Sequence, residues 1–442
     1  MLRVDNHART RPMKTTLSAH GVRMSRLTGV RTIMRDIKQT LAAAPHEPWI
    51  NLSAGNPVVL PALEAMWRRH AEALLAEGSF GAIVGRYGET EGYAPLIDAL
   101  IRLFRRLYGW ELWPENVLIA PGSQMLLFAA ANCFCGYDAA GRLRRLALPA
   151  SPDYTGYDGV CLSEEALLAT IPGIEIRDRH TFKYRVDFER LRIDAATAMV
   201  LFSRPCNPSG NVLRDDEVQH LIATAARHDV PVFIDAAYGP PFPNLAFAEI
   251  EPVRGENVVY SMSLSKAGLP GERIGIAIGP SRYLDTLRAF LANATLHSAR
   301  FGQALAARAI EAGDLLQVSA AAIAPYYRAQ FERLRRVLAE TMPPVEWYLH
   351  EYEGALFAWL WLKDLPVRDL ALYEEIKKER VFVVPGSFFF PGIDDAWAHK
   401  HECLRISLTA HEDELAEAAA AIARAVARVY GGSAPAARRA AG

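Results

Sequence analysis

The sequence predicts an α/β protein, with a largely parallel sheet covered by helices on both faces and a smaller α+β unit, on three observations. First, 442 residues exceed the roughly 250 to 300 at which a single core stops growing. Second, short apolar runs rich in β-branched residues alternate with helical stretches through the first two thirds of the chain. Third, that alternation ends near residue 320, where an amphipathic helix and a different order of elements begin. In chain order, the predicted strands are 117–120, 146–148, 199–203, 231–235, 257–261 and 274–278, with a helix at 215–228 among those between them. Continuous apolar strands separated by helices mean a sheet buried on both faces. Beyond 320 the periodicity predicts a helix over 326–338, strands at 355–362, 381–384 and 404–408, and a closing helix over 412–429.

Composition excludes several function classes. Lys and Arg number 49 against 50 Asp and Glu, a formal charge of -1, so no bulk field draws the chain to nucleic acid or an anionic membrane. Residues 1–18 are polar and Arg-rich and lack the apolar core of a signal peptide, and Met13 is a second possible start. No run approaches the roughly 18 apolar residues of a membrane span. The tail 431–442 is small, basic and expected to be disordered. Cys133, Cys135, Cys161, Cys206 and Cys403 form no CxxC pair, and their odd number predicts reduced thiols and a cytoplasmic protein. His399, His401 and Cys403 alternate, but without further ligands at zinc-site spacing they predict a strand edge, and no metal is expected.

Three segments carry chemistry. In 261–273, Ser261, Ser263, Ser265, Lys266 and Arg273 share a Gly/Pro-shaped turn after a strand; hydroxyls and an arginine make a phosphate cup, and a lysine beside it can form an imine with an aldehyde. Alone, the segment equally describes a loop lysine. In 233–238 a strand ends in Asp235 with Tyr238 three residues on: a buried carboxylate keeps a pyridine nitrogen protonated, and a phenol can donate to an oxygen on the same ring. The plain alternative is a helix-capping Asp and a packed Tyr. In 203–210, Asn207 stands before Pro208 in a turn and brings an amide donor, although turns favour Asn for their own geometry.

Asn207-Pro208, Asp235-x-x-Tyr238 and Ser263-x-Ser265-Lys266, in that order, resemble the signature of the class I/II aminotransferases of pyridoxal 5′-phosphate (PLP) fold type I. NLSAGNP (51–57), SRPCNPSGNV (203–212), AYGPPFP (237–243), MSLSKAGLPG (262–271) and EGALFAWLWLKDLP (353–366) resemble that family's valine–pyruvate branch, over roughly 17–429. The resemblance implies a large PLP-binding domain over 61–320 with a mostly parallel seven-stranded sheet. The smaller domain would come from 19–60 and 321–430.

It also implies PLP as cofactor, with Lys266 as its Schiff-base lysine and Asp235 and Tyr238 beside it in catalysis. Gly122, Ser123 and Gln124 would hold the cofactor phosphate on a helix N-terminus, completed by Ser263, Ser265 and Arg273. Tyr154 would stack on the ring and Asn207 would polarise its oxygen. Tyr87 would reach the neighbour's phosphate in a homodimer. Arg405, in an apolar strand where an unpaired charge is costly, would take the substrate carboxylate, with Asn207 and Gly55 alongside. In the family frame His297 and Arg300 depart from the small apolar residues expected there; Arg300 could meet a second anion at the pocket mouth or form an ordinary surface ion pair. The activity expected is ping-pong transfer of an amino group between a valine- or alanine-like L-amino acid and a 2-oxo acid such as pyruvate. The same residues would also suit β- or γ-elimination, replacement or cyclisation, and a non-catalytic relative is the third reading, against which the retained Lys266, Asp235, Tyr238, Asn207 and Arg405 argue.

Overall fold

The computed structural model describes residues 16–26 and 29–432; most of the expected extension, including Met13, and residues 433–442 of the expected tail lie outside the described residues. Its large sheet runs in the order Val117–Pro121, Ile274–Ile278, Val258–Ser263, Val232–Asp235, Thr197–Ser203, Leu143–Leu148, Gly136–Tyr137, with Leu167–Ala169 also paired to Leu143–Leu148. Ile274–Ile278 is antiparallel to both neighbours. The two-residue Gly136–Tyr137 folds back antiparallel and brings the count to eight. The remaining strands run in one direction, as the alternating pattern predicts.

Burial explains why those strands read as unbroken apolar runs. Every residue of Thr197–Ser203 is buried. Val200 and Phe202 join one core cluster with Leu96, Val218 and Ala304, while Met199 and Leu201 join another with Leu126, Leu284 and Leu287. Helices thus cover both faces, and each large apolar side chain buried this way contributes about 1.5 to 3 kcal/mol.

A second, six-stranded sheet has the order Val384–Pro385, Cys403–Ser407, Phe357–Leu362, Trp347–His350, Thr181–Arg185, Gly173–Ile176. It draws in a hairpin from the middle of the chain, which the sequence reading did not place: Thr181–Arg185 pairs in parallel with Trp347–His350. Two further local expectations are corrected. The run 381–384 is not one strand, since Val381–Phe382 pairs with Ile50–Asn51 and Val384–Pro385 with Cys403–Ser407; Pro385 has no N–H to extend a ladder. His399 and His401 stand in a 3-10 turn, Ala398–His401, rather than along a strand edge. There His399 Nε2 lies 2.5 Å from the Tyr184 hydroxyl, and burial pushes the imidazole down to about 3. The change of character near 320 falls inside continuous helix, where Asp314–Val318, a π turn at Ser319–Ile323 and Ala324–Thr341 follow one another; the π turn ends two residues before Pro325, which cannot donate into a helical ladder.

Candidate active site

The strands deliver their chemistry at one end of the large sheet, as open α/β folds do. Asp235 and Ser203 end adjacent parallel strands and lie in register, Ser263 ends the next strand but one from Ser203, and Arg273 stands just before Ile274 where the antiparallel strand begins. Val117–Pro121 leads through Gly122, at φ 86°, into the helix Ser123–Phe134. A Cβ on Gly122 would lie 2.4 Å from Arg273 Nη2, and one on Gly275 would lie 2.4 Å from the Ser123 nitrogen. Only glycine at both positions lets the arginine and the sheet close on that helix N-terminus. The first N–H groups of the helix have no intrahelical acceptor and face the same space.

Above these strand ends lies a cavity of about 380 Å³ lined by Gly55, Ser123, Gln124, Tyr154, Asn207, Asp235, Tyr238, Ser263, Ser265, Lys266, Arg273 and Arg405. Lys266 Nζ donates to the Gly55 carbonyl at 2.6 Å and sits 5.7 Å from the centre of the Tyr238 ring. Burial, reinforced by the positive charges of Arg405 and Arg273, pulls the Lys266 amine down to about 8. Asp235 accepts from the Tyr157 hydroxyl at 2.9 Å and from the Ala237 N–H at 3.2 Å. Burial lifts its carboxyl to about 6 despite those donors. Arg405, 4% exposed, donates to Asn207 Oδ1 at 3.2 Å and to the Ser53 carbonyl at 2.7 Å, with its guanidinium 4.0 Å from the Phe357 ring centre and 4.7 Å from that of Phe389. Burial brings even this guanidinium down to about 10.

The sequence between residues 47 and 422 matches the model of the family "aminotransferase class I and II". The chain belongs to the class I and II aminotransferases. It is 34% identical to the valine–pyruvate aminotransferase of Escherichia coli K12 over 94% of this chain and 99% of that one. The solved valine-pyruvate aminotransferase AvtA of Salmonella typhimurium LT2 shares 32% identity with it, covering 91% of this chain and 100% of that one at a TM-score of 0.83. The kynurenine aminotransferase of Pyrococcus horikoshii, solved in complex with PMP, has the same fold at 20% identity, covering 88% of this chain and 94% of that one at a TM-score of 0.72.

The cofactor of this aminotransferase is pyridoxal 5′-phosphate, and the charge balance of its cavity fits that group. Lys266, Arg273 and Arg405 converge there, no ion pair holds any of the three among the described residues, and Asp235 is the carboxylate among the lining side chains. The buried donor Arg405 Nε at the cavity has no partner. Unpaired buried cations and orphaned donors are expensive, so the arrangement calls for anions, one beside Arg273 and the helix N-terminus and one beside Arg405. A phosphate and a substrate carboxylate are such a pair.

Not every residue singled out in the sequence reaches this cavity. Gly122 adjoins it through Arg273 but is not part of its lining, and Ser261 leaves the expected hydroxyl cup: it is fully buried beside Asp235, its Oγ without a partner. Tyr87 is 85% exposed and meets the His297 ring edge-on at 5.8 Å. Arg300 lies over Tyr93 at 5.2 Å and fills the space above Gly88, outside the lining of its own chain's cavity. Glycine is not required by crowding at position 55, since a Cβ there would meet nothing within 4 Å.

Sequence reasoning missed Ser53, Tyr157 and the pair Val30 and Met34. The latter two line the cavity from the helix Val30–Ala43. Tyr157 is fully buried, and the spacing Tyr154-x-x-Tyr157 was the signal available for it. Tyr157→Phe removes one of two donors to Asp235, so the carboxyl, already at about 6, rises further. A hydrogen bond to a charged group is worth about 1.5 to 3 kcal/mol, or roughly one to two pH units. The acid limb of the kcat profile is therefore expected to move upward by about one pH unit, with KM little changed; an unmoved limb would separate Tyr157 from Asp235.

Proposed function

We propose that this aminotransferase moves the amino group of an aliphatic L-amino acid, valine or alanine, to a 2-oxo acid such as pyruvate. The observation that carries this reading is the pair of guanidinium groups without acidic partners, Arg273 and Arg405, on either side of Lys266 and Asp235, which suits a phosphorylated cofactor and a carboxylate substrate together. Identity of 34% to a valine–pyruvate aminotransferase supports the substrate class. So does the lining itself, whose charged members are Asp235, Lys266, Arg273 and Arg405, with Val30 and Met34 at the side. Within this chain's own lining no further cation is left over for an acidic substrate side chain, which could then be met only by the partner subunit's Arg300.

Ser123, Gln124, Ser263, Ser265 and Arg273 would hold the phosphate, with Gly122 shaping the turn. Asp235 would hold the proton on the ring nitrogen, Tyr238 and Asn207 would donate to the ring oxygen, and Tyr154 would cover the ring face. When bound, the cofactor supplies an aldehyde that reacts with amines and a protonated ring that accepts the electron pair left when the substrate's α C–H bond breaks. Arg405 orients the substrate by its carboxylate, with Asn207 and Gly55 beside it. Lys266 would be the Schiff-base lysine that holds the cofactor aldehyde, and its Nζ, once free, would accept the substrate's α-proton. With its amine near 8 rather than the ordinary lysine value of 10.5, far more of it is neutral at physiological pH, which is what a general base requires. Asp235 does not take that proton, since its task is to stay charged opposite the ring.

A homodimer with shared sites is part of the same reading. Exposure of Tyr87 at 85% and of Leu296 at 62%, both beside His297, supports a partner chain over this loop, where Tyr87 and Arg300 would face the neighbour's site. A monomer by size exclusion with light scattering would contradict it. A cytoplasmic location agrees with the free state of all five cysteines among the described residues; among those residues no helix is long and apolar enough to cross a membrane. The test of substrate class is a donor panel against pyruvate. Valine and alanine are expected to exceed aspartate and glutamate in kcat/KM by at least about 100-fold, since a buried charge left without a partner costs about 3 to 5 kcal/mol. Preference for an acidic donor would overturn the substrate assignment while leaving the cofactor assignment intact.

A further inference from the structure

Lys183 is 2% exposed, outside the lining of the cavity, on the hairpin strand Thr181–Arg185 that joins the second sheet. Its Nζ donates to Asn211 Oδ1 at 3.1 Å, to the Val212 carbonyl at 3.1 Å and to Glu353 Oε2. Glu353 Oε2 also accepts from the Val212 N–H at 2.9 Å. All three ammonium protons are thus committed to the end of the Asn207 turn and to the segment that leads into Phe357–Leu362.

The turn is held from both directions. Within it, the Cys206 N–H donates to the Asn211 carbonyl at 2.8 Å and the Gly210 N–H to the Cys206 carbonyl at 2.8 Å. Against it lies Gly354: a Cβ on Gly210 would stand 2.7 Å from the Gly354 carbonyl oxygen, and one on Gly354 only 2.4 Å from the Leu245 carbonyl oxygen and 2.5 Å from Pro205. Three residues beyond Gly354 is Phe357, whose ring supports Arg405, while Asn207 accepts from the same guanidinium.

We propose that the buried Lys183–Glu353 pair is a positioning device for the substrate-carboxylate site: it fixes the Asn207 turn against the strand that supports Arg405, and so sets the distance between the two side chains. This rests on the reading of Arg405 and Asn207 as the carboxylate site. A buried ion pair gives little net stability compared with apolar residues of the same size; what it gives here is register between two sheets, through a cation with three directed donors.

The test uses holoenzyme and two probes that divide valine's groups: isovalerate, with the carboxylate and no amine, and isobutylamine, with the amine and no carboxylate. Lys183→Met and Glu353→Gln are expected to weaken inhibition by isovalerate about 10- to 100-fold, the loss that follows when one hydrogen bond to a charged group is misdirected. Spectral titration with isobutylamine is expected to be unchanged, which a general loss of folding or of cofactor would not allow. Lys183→Met combined with Glu353→Leu strands no charge and is expected to show the same loss of isovalerate alone. Unchanged isovalerate affinity in these variants, or equal weakening of both probes, overturns the proposal. Arg405→Leu separates the layers. If it binds isovalerate as the unaltered enzyme does, the carboxylate site itself is misassigned; if it loses isovalerate while the Lys183 and Glu353 variants keep it, only the positioning role fails.

Discussion

Lys266→Ala is expected to lower kcat by at least about 10⁴-fold, the product of losing a nucleophilic amine and a general base at one atom. No other lining side chain replaces it, because the remaining nitrogen bases of the cavity are the guanidinia of Arg273 and Arg405, which stay protonated and do not attack an aldehyde. The protein should still fold: Lys266 is partly open to the cavity and its ammonium is held by the Gly55 carbonyl. Removing an amine that burial already holds near 8 also takes away a destabilising charge below that pH. The check is absorbance together with single-turnover kinetics. The variant is expected to bind the cofactor without the covalent absorbance band and to turn over negligibly; substantial turnover would remove Lys266 from the mechanism.

Arg405→Leu carries the second large effect. Truncating one partner of a buried, hydrogen-bonded charge pair costs about 2 to 5 kcal/mol, roughly 30- to 4,000-fold in kcat/KM. Both half-reactions should fall together, because amino acid and oxo acid present the same carboxylate. Lysine is not expected to rescue. The guanidinium lies between Phe357 and Phe389 and already spends donors on Asn207 and Ser53, which a single ammonium cannot reproduce in one plane. Stability should move the other way. Arg405 has no acidic partner among the described residues and is pulled down to about 10 by burial, so an apolar side chain is expected to leave the melting temperature of the cofactor-free protein equal or higher. A fall in melting temperature matching the fall in activity would mean that Arg405 is structural.

Legibility in the sequence follows from how far each signal depends on partners distant in the chain. Asp235, Ser263 and Lys266 follow directly from strands whose apolar runs are continuous because the sheet is covered on both faces, so strand and strand end are visible together. Arg405 is legible because a charge inside Cys403–Ser407 has no local reason to be there. Tyr157, by contrast, has meaning only once the turn after Leu143–Leu148 lies beneath Asp235, 78 residues away. Val30 and Met34 sit on a helix with a strong apolar stripe of its own, and nothing local says that their positions face a cavity. The second sheet hid its hairpin because Thr181–Arg185 pairs with residues more than 160 positions later. Ser261 was misread for a related reason: its spacing matches Ser263 and Ser265, but it lies deeper along the strand, level with Asp235 and below the cup.

The central claim, that this site runs reversible amino transfer on an aliphatic amino acid, is tested most directly by the visible absorbance of the purified holoenzyme during stepwise addition of valine and then pyruvate. The expected result is loss of the band due to covalently held cofactor on adding valine, with one equivalent of oxo acid formed, and full return of the band on adding pyruvate. Release of ammonia from the amino acid, with a band that pyruvate does not restore, would contradict it and assign the same residues to elimination chemistry.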